Sequence, residues 1–199
     1  MKNIYKSEEW INLELNVRSD LVPAIEEVRH GAQIEFWRSM FDNNREEQIN
    51  YLEYSLKKIG INYRTYELDY YISWEESWLD KLWGKVTPEG KVIHEINHGQ
   101  FLGYPQCCID NFEASCETYL QGKGLGPMAK FWQDAKKAMQ EGKFNESLFY
   151  VLHAPCSLCC KETIKMAEEI KKVLNFNDTE AGEYLKLLNQ KNILNIKIK

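Results

Sequence analysis

The sequence predicts a mainly α-helical protein of the α+β class, a helical bundle with a small sheet element near its N-terminus. Apolar residues recur at three- and four-residue spacing through most of the chain. One tyrosine- and isoleucine-rich run, INYRTYELDYYI, alternates as a half-buried strand does. Glycines and prolines separate these segments at intervals that suit short connections. The chain has 199 residues, of which 44% are hydrophobic and 28% charged, enough to bury one full core. Residues 1–199 are therefore expected to form a single domain, with a Tyr/Trp-rich part at 1–86 and a Cys/His motif-bearing helical part at 87–199.

Taken in order, residues 20–60 read as helical. Ser19 or Asp20 can cap, Pro23 suits a first turn, and Val22, Ile25 and Val28 keep helical spacing up to Gly31. A second helix runs from Asn44 to Ile59 and stops at Gly60. The strand INYRTYELDYYI follows, with INLELNV near the start as its expected partner. Ser73 and Glu76 then form a capping box that opens the helix WEESWLDKLWG. Thr87-Pro88-Glu89 starts a short helix through VIHEINHGQFL, which must end by Pro105 because the residue before a proline is pushed out of the helical region. CCIDNFEASCETYL restarts a helix with Cys108, Phe112, Cys116 and Tyr119 on one face. GPMAKFWQDAKKAMQEG makes another after the glycine-rich break QGKGLG. The last helix is PCSLCCKETIKMAEEIKKVLN, with Pro155 in its first turn and Cys159, Met166, Ile170 and Val173 as its buried stripe. His30, beside Gly31, reads as a partner for a helix C-terminal dipole. Trp74, Trp78 and Trp83 cluster around one helix.

The formal net charge of -5 and the lack of a Lys/Arg block argue against a broad nucleic-acid footprint, because phosphate binding needs a concentrated basic surface. Lys191 to Lys199 is the one basic stretch, and a frayed solvated tail is the simplest reading of it. The N-terminus MKNIYKSEEWINLELN lacks the apolar core and small-residue cleavage site of a secretory signal. No stretch approaches the ~20 apolar residues of a membrane span. A cytoplasmic protein without membrane partners is expected. In that reducing compartment the six cysteines call for a role other than disulfides.

Five of the six cysteines gather in two segments, Gly103-Tyr104-Pro105-Gln106-Cys107-Cys108 and His153-Ala154-Pro155-Cys156-Ser157-Leu158-Cys159-Cys160. Each sits where a proline breaks one element and a helix begins. The unpaired N–H groups of a helix start favour thiolate over thiol, and thiolate is the form that metals bind. Cys156 and Cys159, one helical turn apart, can reach one ion, and the imidazole of His153 can turn to the same point. A cysteine from the first segment completes a Cys₃His zinc site or a four-ligand iron–sulfur site. Adjacent cysteines rarely ligate one ion together, so one of each pair is expected to bind. The metal candidates are thus Cys107, Cys108, His153, Cys156 and Cys159, with Cys160, His94 and His98 as alternatives. Cys116, alone on an apolar face, is read as a small core residue. A thiol–disulfide redox pair of Cys156 and Cys159 is a competing reading.

His94-Glu95-Ile96-Asn97-His98 fits the HExxH pattern, in which two histidines one helical turn apart bind zinc and the glutamate activates water. Glu113 or Glu117 could supply a third ligand. Gly99, Gly103 and Pro105 shorten that helix, and Phe101 stands where the metzincin continuation has glycine. A zinc hydrolase with Glu95 as its catalytic group therefore stays an alternative, while Cys107 or Cys160, standing beside the cysteine site as a redundant neighbour, would fit a reactive centre there.

The pairing of LGYPQCCIDNF with HAPCSLCC resembles an uncharacterised prokaryotic domain-of-unknown-function family carrying G-Y-P-x-C-C and H-x-P-C-x-x-C motifs. The resemblance covers Thr87 to Leu174. It implies that Gly103, Tyr104, Pro105, Cys107, Cys108, His153, Pro155, Cys156 and Cys159 act together, and it implies no particular activity.

Overall fold

Helical periodicity dominates the fold as it does the sequence, and a computed structural model of the protein is mainly α, with small antiparallel sheets. It describes residues 4–35, 45–67, 69–122 and 125–196. The chain divides into two compact units, Met1–Gly103 and Tyr104–Lys199. Among the described residues no helix is long and apolar enough to cross a membrane.

In the first unit, α1 (Glu8–Ile11) and α2 (Leu15–Ile25) occupy the stretch expected to hold a strand. INLELNV alternates, yet Trp10, Leu13, Val17, Leu21 and Ala24 are all buried while Ile11 is exposed. That set has the helical period, and it wins because it places five apolar side chains in the core. Ser7 caps α1 by accepting from the Trp10 N–H at 3.2 Å. Pro23 lies inside α2 near its C-terminal end, not in a first turn, and the helix stops before Glu27, whose φ is +59°.

Residues 20–60 are therefore not continuously helical. Strand β1 (Ala32–Glu35) follows, then helix α3 (Arg45–Ile59), which Gly60 ends at φ +83°. Asn44 and the rest of 36–44 lie outside the described residues. INYRTYELDYYI forms two strands, β2 (Asn62–Tyr66) and β3 (Asp69–Ser73), joined through Glu67 at φ +54°. The sheet order is β1-β3-β2, all antiparallel, with Ala32 opposite Ile72 and Tyr66 opposite Asp69. Gly31 leads into β1 where a Cβ would stand 2.2 Å from Phe101 Cζ, so only glycine lets that ring close the core.

Ser73 is the last residue of β3, not a helix cap, and its hydroxyl donates to the His30 carbonyl at 2.6 Å. Helix α4 (Glu76–Trp83) starts without a side-chain cap. The next segment is a hairpin rather than the expected helix: β4 (Lys85–Val86) and β5 (Val92–Ile93) pair antiparallel. Thr87-Pro88-Glu89-Gly90 is the reason, since proline second and glycine fourth favour a tight turn, here closed by Gly90 N–H to the Thr87 carbonyl at 2.9 Å. A four-residue helix α5 (His98–Phe101) with an Asn97–Gln100 capping box ends the unit. His30 lies beyond the end of α2 and stacks on Trp78, ring centroids 3.7 Å apart, instead of serving a helix dipole.

The second unit begins with α6 (Gln106–Leu120) and α7 (Pro127–Gln140). A 3₁₀ turn at Glu146–Tyr150 buries Leu148, Phe149 and Tyr150, and it leads into an irregular loop. Helix α8 (Lys161–Asn177) starts at Lys161 and not at Pro155, so its buried stripe is Thr163, Ala167, Ile170 and Leu174. Of the expected stripe Ile170 is buried, Met166 and Val173 lie one position off that face and are half-buried, and Cys159 falls outside the helix because it begins six residues later. Asp178 ends α8 and caps α9 (Thr179–Asn195), its Oδ1 accepting from the Ala181 N–H at 3.1 Å. Lys191 belongs to α9 rather than to a frayed tail, and 197–199 lie outside the described residues. Asn189 of α9 donates to the carbonyls of Phe149 and Val151 at 2.9 and 3.1 Å, anchoring the chain just ahead of His153.

Candidate metal centre

Two local features aim sulfur at one point within the second unit. Pro105 precedes α6, placing Cys107 and Cys108 in its first turn, where free N–H groups and the helix dipole favour negative charge. Cys160 stands at the N-cap of α8, and Cys156 lies four residues earlier in the loop. The ligand atoms of Cys107, Cys108, Cys156 and Cys160 all lie within 4.8 Å of one another. Cys107 Sγ is 3.7 Å from Cys160 Sγ, 3.8 Å from Cys156 Sγ and 4.0 Å from Cys108 Sγ, and Cys108 Sγ is 3.8 Å from Cys160 Sγ. All four are free thiols.

These edges carry geometric information. Four sulfurs each ~2.3 Å from a central zinc make a tetrahedron whose edges are ~3.8 Å. A cubane iron–sulfur cluster takes one thiolate on each of four irons, which sets its sulfurs farther apart than around a single ion. Four of the six edges of the quartet are close to the single-ion value, and the other two are within 4.8 Å.

Burial divides the quartet. Cys108 and Cys160 are buried, Cys156 is half-buried and Cys107 is exposed. Cys108 Sγ accepts from the Cys156 backbone N–H at 3.4 Å and lies 3.1 Å from the Thr163 hydroxyl. Burial pushes the Cys108 thiol up to about 12, against those two contacts. It pushes Cys107 up as well, helped by Cys160 and Cys156. Burial acts in the same direction on Cys160, but there the Thr163 hydroxyl and backbone, with Cys156 and Cys107, outweigh it and draw the thiol down to about 7. Four thiols this close cannot all ionise without a cation among them, and a cation is what the arrangement can accept.

The other residues named from the sequence fall elsewhere. Cys159 is exposed, its sulfur 3.6 Å from Ser157 Oγ, and it is not one of the four. The structure thus brings together both members of the Cys107–Cys108 pair, but only Cys160 of the Cys159–Cys160 pair. Cys116 is half-buried on α6, two turns beyond Cys108. His153 is buried, its Nε2 3.1 Å from Thr163 Oγ1, and its ring stacks on Tyr104 with centroids 4.5 Å apart. The Tyr104 hydroxyl donates to the Leu152 carbonyl at 2.8 Å. Thr163 was not singled out in the sequence, where no motif marks it; its role follows from its place three residues after Cys160 on the buried face of α8.

HExxH does not form its helical site. His94 and Glu95 lie outside any helix and His98 begins α5, so the histidines do not share a helical face. His94 Nδ1 donates to the Leu82 carbonyl at 2.6 Å, and Glu95 pairs with Lys85 at 2.7 Å. That lysine holds the Glu95 carboxyl below its ordinary value. His98 belongs to the first unit with them, its ring 5.3 Å from that of Tyr71. Glu113 and Glu117 lie exposed on α6.

Fold and site together define a mainly helical protein with a cysteine quartet able to hold a metal ion. The chain belongs to DUF483, a family of proteins of unknown function, whose family model matches residues 79–194, more than half of the chain. No curated protein and no solved structure matches it.

Proposed function

We propose that this protein binds a single zinc ion through Cys107, Cys108, Cys156 and Cys160, and that the ion has a structural role. The observation that carries this reading is the mutual spacing of the four sulfurs, 3.7 to 4.0 Å over the edges given above. Tetrahedral four-sulfur sites suit zinc or iron, and the edge lengths favour one ion over a cluster. With four protein ligands the coordination shell is closed, leaving no position for water or substrate, which is the mark of a structural site. The ion would fasten the start of α6 to the loop before α8, a segment with no regular secondary structure of its own. A reducing cytoplasm would keep the thiols available.

Protein purified without oxygen and analysed for metals and inorganic sulfide tests this. One zinc per chain and no sulfide is the expected result. Iron with sulfide would overturn it in favour of a cluster. Metal-free protein with a reversible Cys156–Cys159 disulfide would overturn it in favour of redox chemistry.

A further inference from the structure

We propose that Thr163 and His153 form a hydrogen-bonded relay behind the quartet, in which His153 positions the Thr163 hydroxyl and Thr163 holds the Cys108 thiolate. The inference rests on the zinc-site reading and assigns His153 a place one step removed from the ion.

The argument is a count of protons. The Thr163 hydroxyl stands 3.1 Å from Cys108 Sγ and 3.1 Å from His153 Nε2. A hydroxyl has one proton to give and lone pairs to receive with, whereas a metal-bound thiolate only accepts. The hydroxyl proton therefore goes to sulfur, to Cys108 at 3.1 Å or to Cys160, whose thiol the same hydroxyl draws down, and in either case the oxygen must accept from His153. That requires the imidazole proton on Nε2, so this nitrogen has no lone pair left for a metal. Thr163 is fully buried and His153 is 6% exposed, so water does not compete for either group.

The surroundings fix the relay in place. Thr163 is on the buried stripe of α8, one turn after Cys160. The Tyr104 ring lies against the imidazole at an interplanar angle of 29°, and its hydroxyl is tied to the Leu152 backbone. The Cys156 N–H reaches Cys108 Sγ as well, so this buried sulfur receives two donors. Each spreads the thiolate charge and orients its lone pairs toward the ion. Groups in this position behind a ligand typically change metal affinity about 10–100-fold when removed.

The test is zinc affinity by chelator competition at fixed pH in full-length protein. Thr163→Val should weaken binding about 10–100-fold, and Thr163→Ser, which keeps the hydroxyl, should restore it. His153→Phe should weaken binding as well, and His153→Gln, which keeps a donor at that place, should lose less. Adding His153→Phe to Thr163→Val should cost little more, because the histidine acts through the threonine. Unchanged affinity in Thr163→Val, or equal losses from His153→Phe with and without the threonine, would overturn the relay while leaving the zinc site standing. A wild-type protein that takes up no zinc would overturn both. Should the variants fail to fold, imidazole nitrogen resonances of zinc-loaded wild-type protein decide: a protonated Nε2 supports the relay, and a bare Nε2 refutes it.

Discussion

Replacing Cys108 by serine removes the most deeply placed sulfur of the quartet, 2% exposed, while leaving a hydroxyl of similar shape. Structural zinc sites gain roughly 10–16 kcal/mol of apparent binding free energy over four ligands, so one ligand accounts for about 3 kcal/mol. At 1.4 kcal/mol per decade that is about a hundredfold in affinity. The serine oxygen still meets the Cys156 N–H and the Thr163 hydroxyl, so few polar groups are stranded and the loss reports mainly on the metal–sulfur bond. Cys159→Ser is the matched control, because Cys159 lies only three residues from Cys156 yet its sulfur faces Ser157 Oγ. Chelator competition should show about two decades lost for Cys108→Ser and less than about threefold for Cys159→Ser, a change within the usual scatter of surface substitutions. Equal losses in the two variants, or a larger loss at Cys159, would refute the quartet.

Stripping zinc with a chelator should lower thermal stability, by about 4 kcal/mol relative to protein held at a thousandfold excess over the dissociation constant. Hydrogen exchange should accelerate at 104–108 and 153–163 and stay unchanged in the first unit; uniform acceleration would contradict a local fastening role. Gly31→Ala should destabilise by about 3 kcal/mol, because its Cβ would press on Phe101 Cζ and the Ile72 carbonyl at 2.2 and 2.8 Å. A calorimetric midpoint equal to wild type would show that the Phe101 ring has room to move. His94→Ala should leave metal content at its wild-type value, since that imidazole is spent on the Leu82 carbonyl; loss of metal on that substitution would revive the HExxH reading.

Helices with long, one-sided apolar stripes were legible in the sequence: α3 to its stop at Gly60, α6 and α7. Where two periods fit the same letters, the reading failed. INLELNV alternates as a strand does, and only the neighbouring Trp10, Leu21 and Ala24 reveal the helical face. β1 contributes four residues without turn signals strong enough to separate it from the helices around it. The TPEG turn was present in the sequence but was taken as a helix start, since proline is favoured in both settings. The first cysteine segment was recognisable from its proline-marked helix start, the second only from the clustering of its cysteines, since Pro155 does not open a helix. The membership of the quartet was not, because it depends on α8 starting at Lys161, which turns Cys160 inward and leaves Cys159 exposed.

X-ray absorption at the zinc edge of the loaded protein addresses the central claim most directly. The account predicts four sulfur neighbours at ~2.3 Å and no nitrogen or oxygen ligand. A nitrogen at ~2.0 Å in place of one sulfur would put His153 on the ion and contradict it.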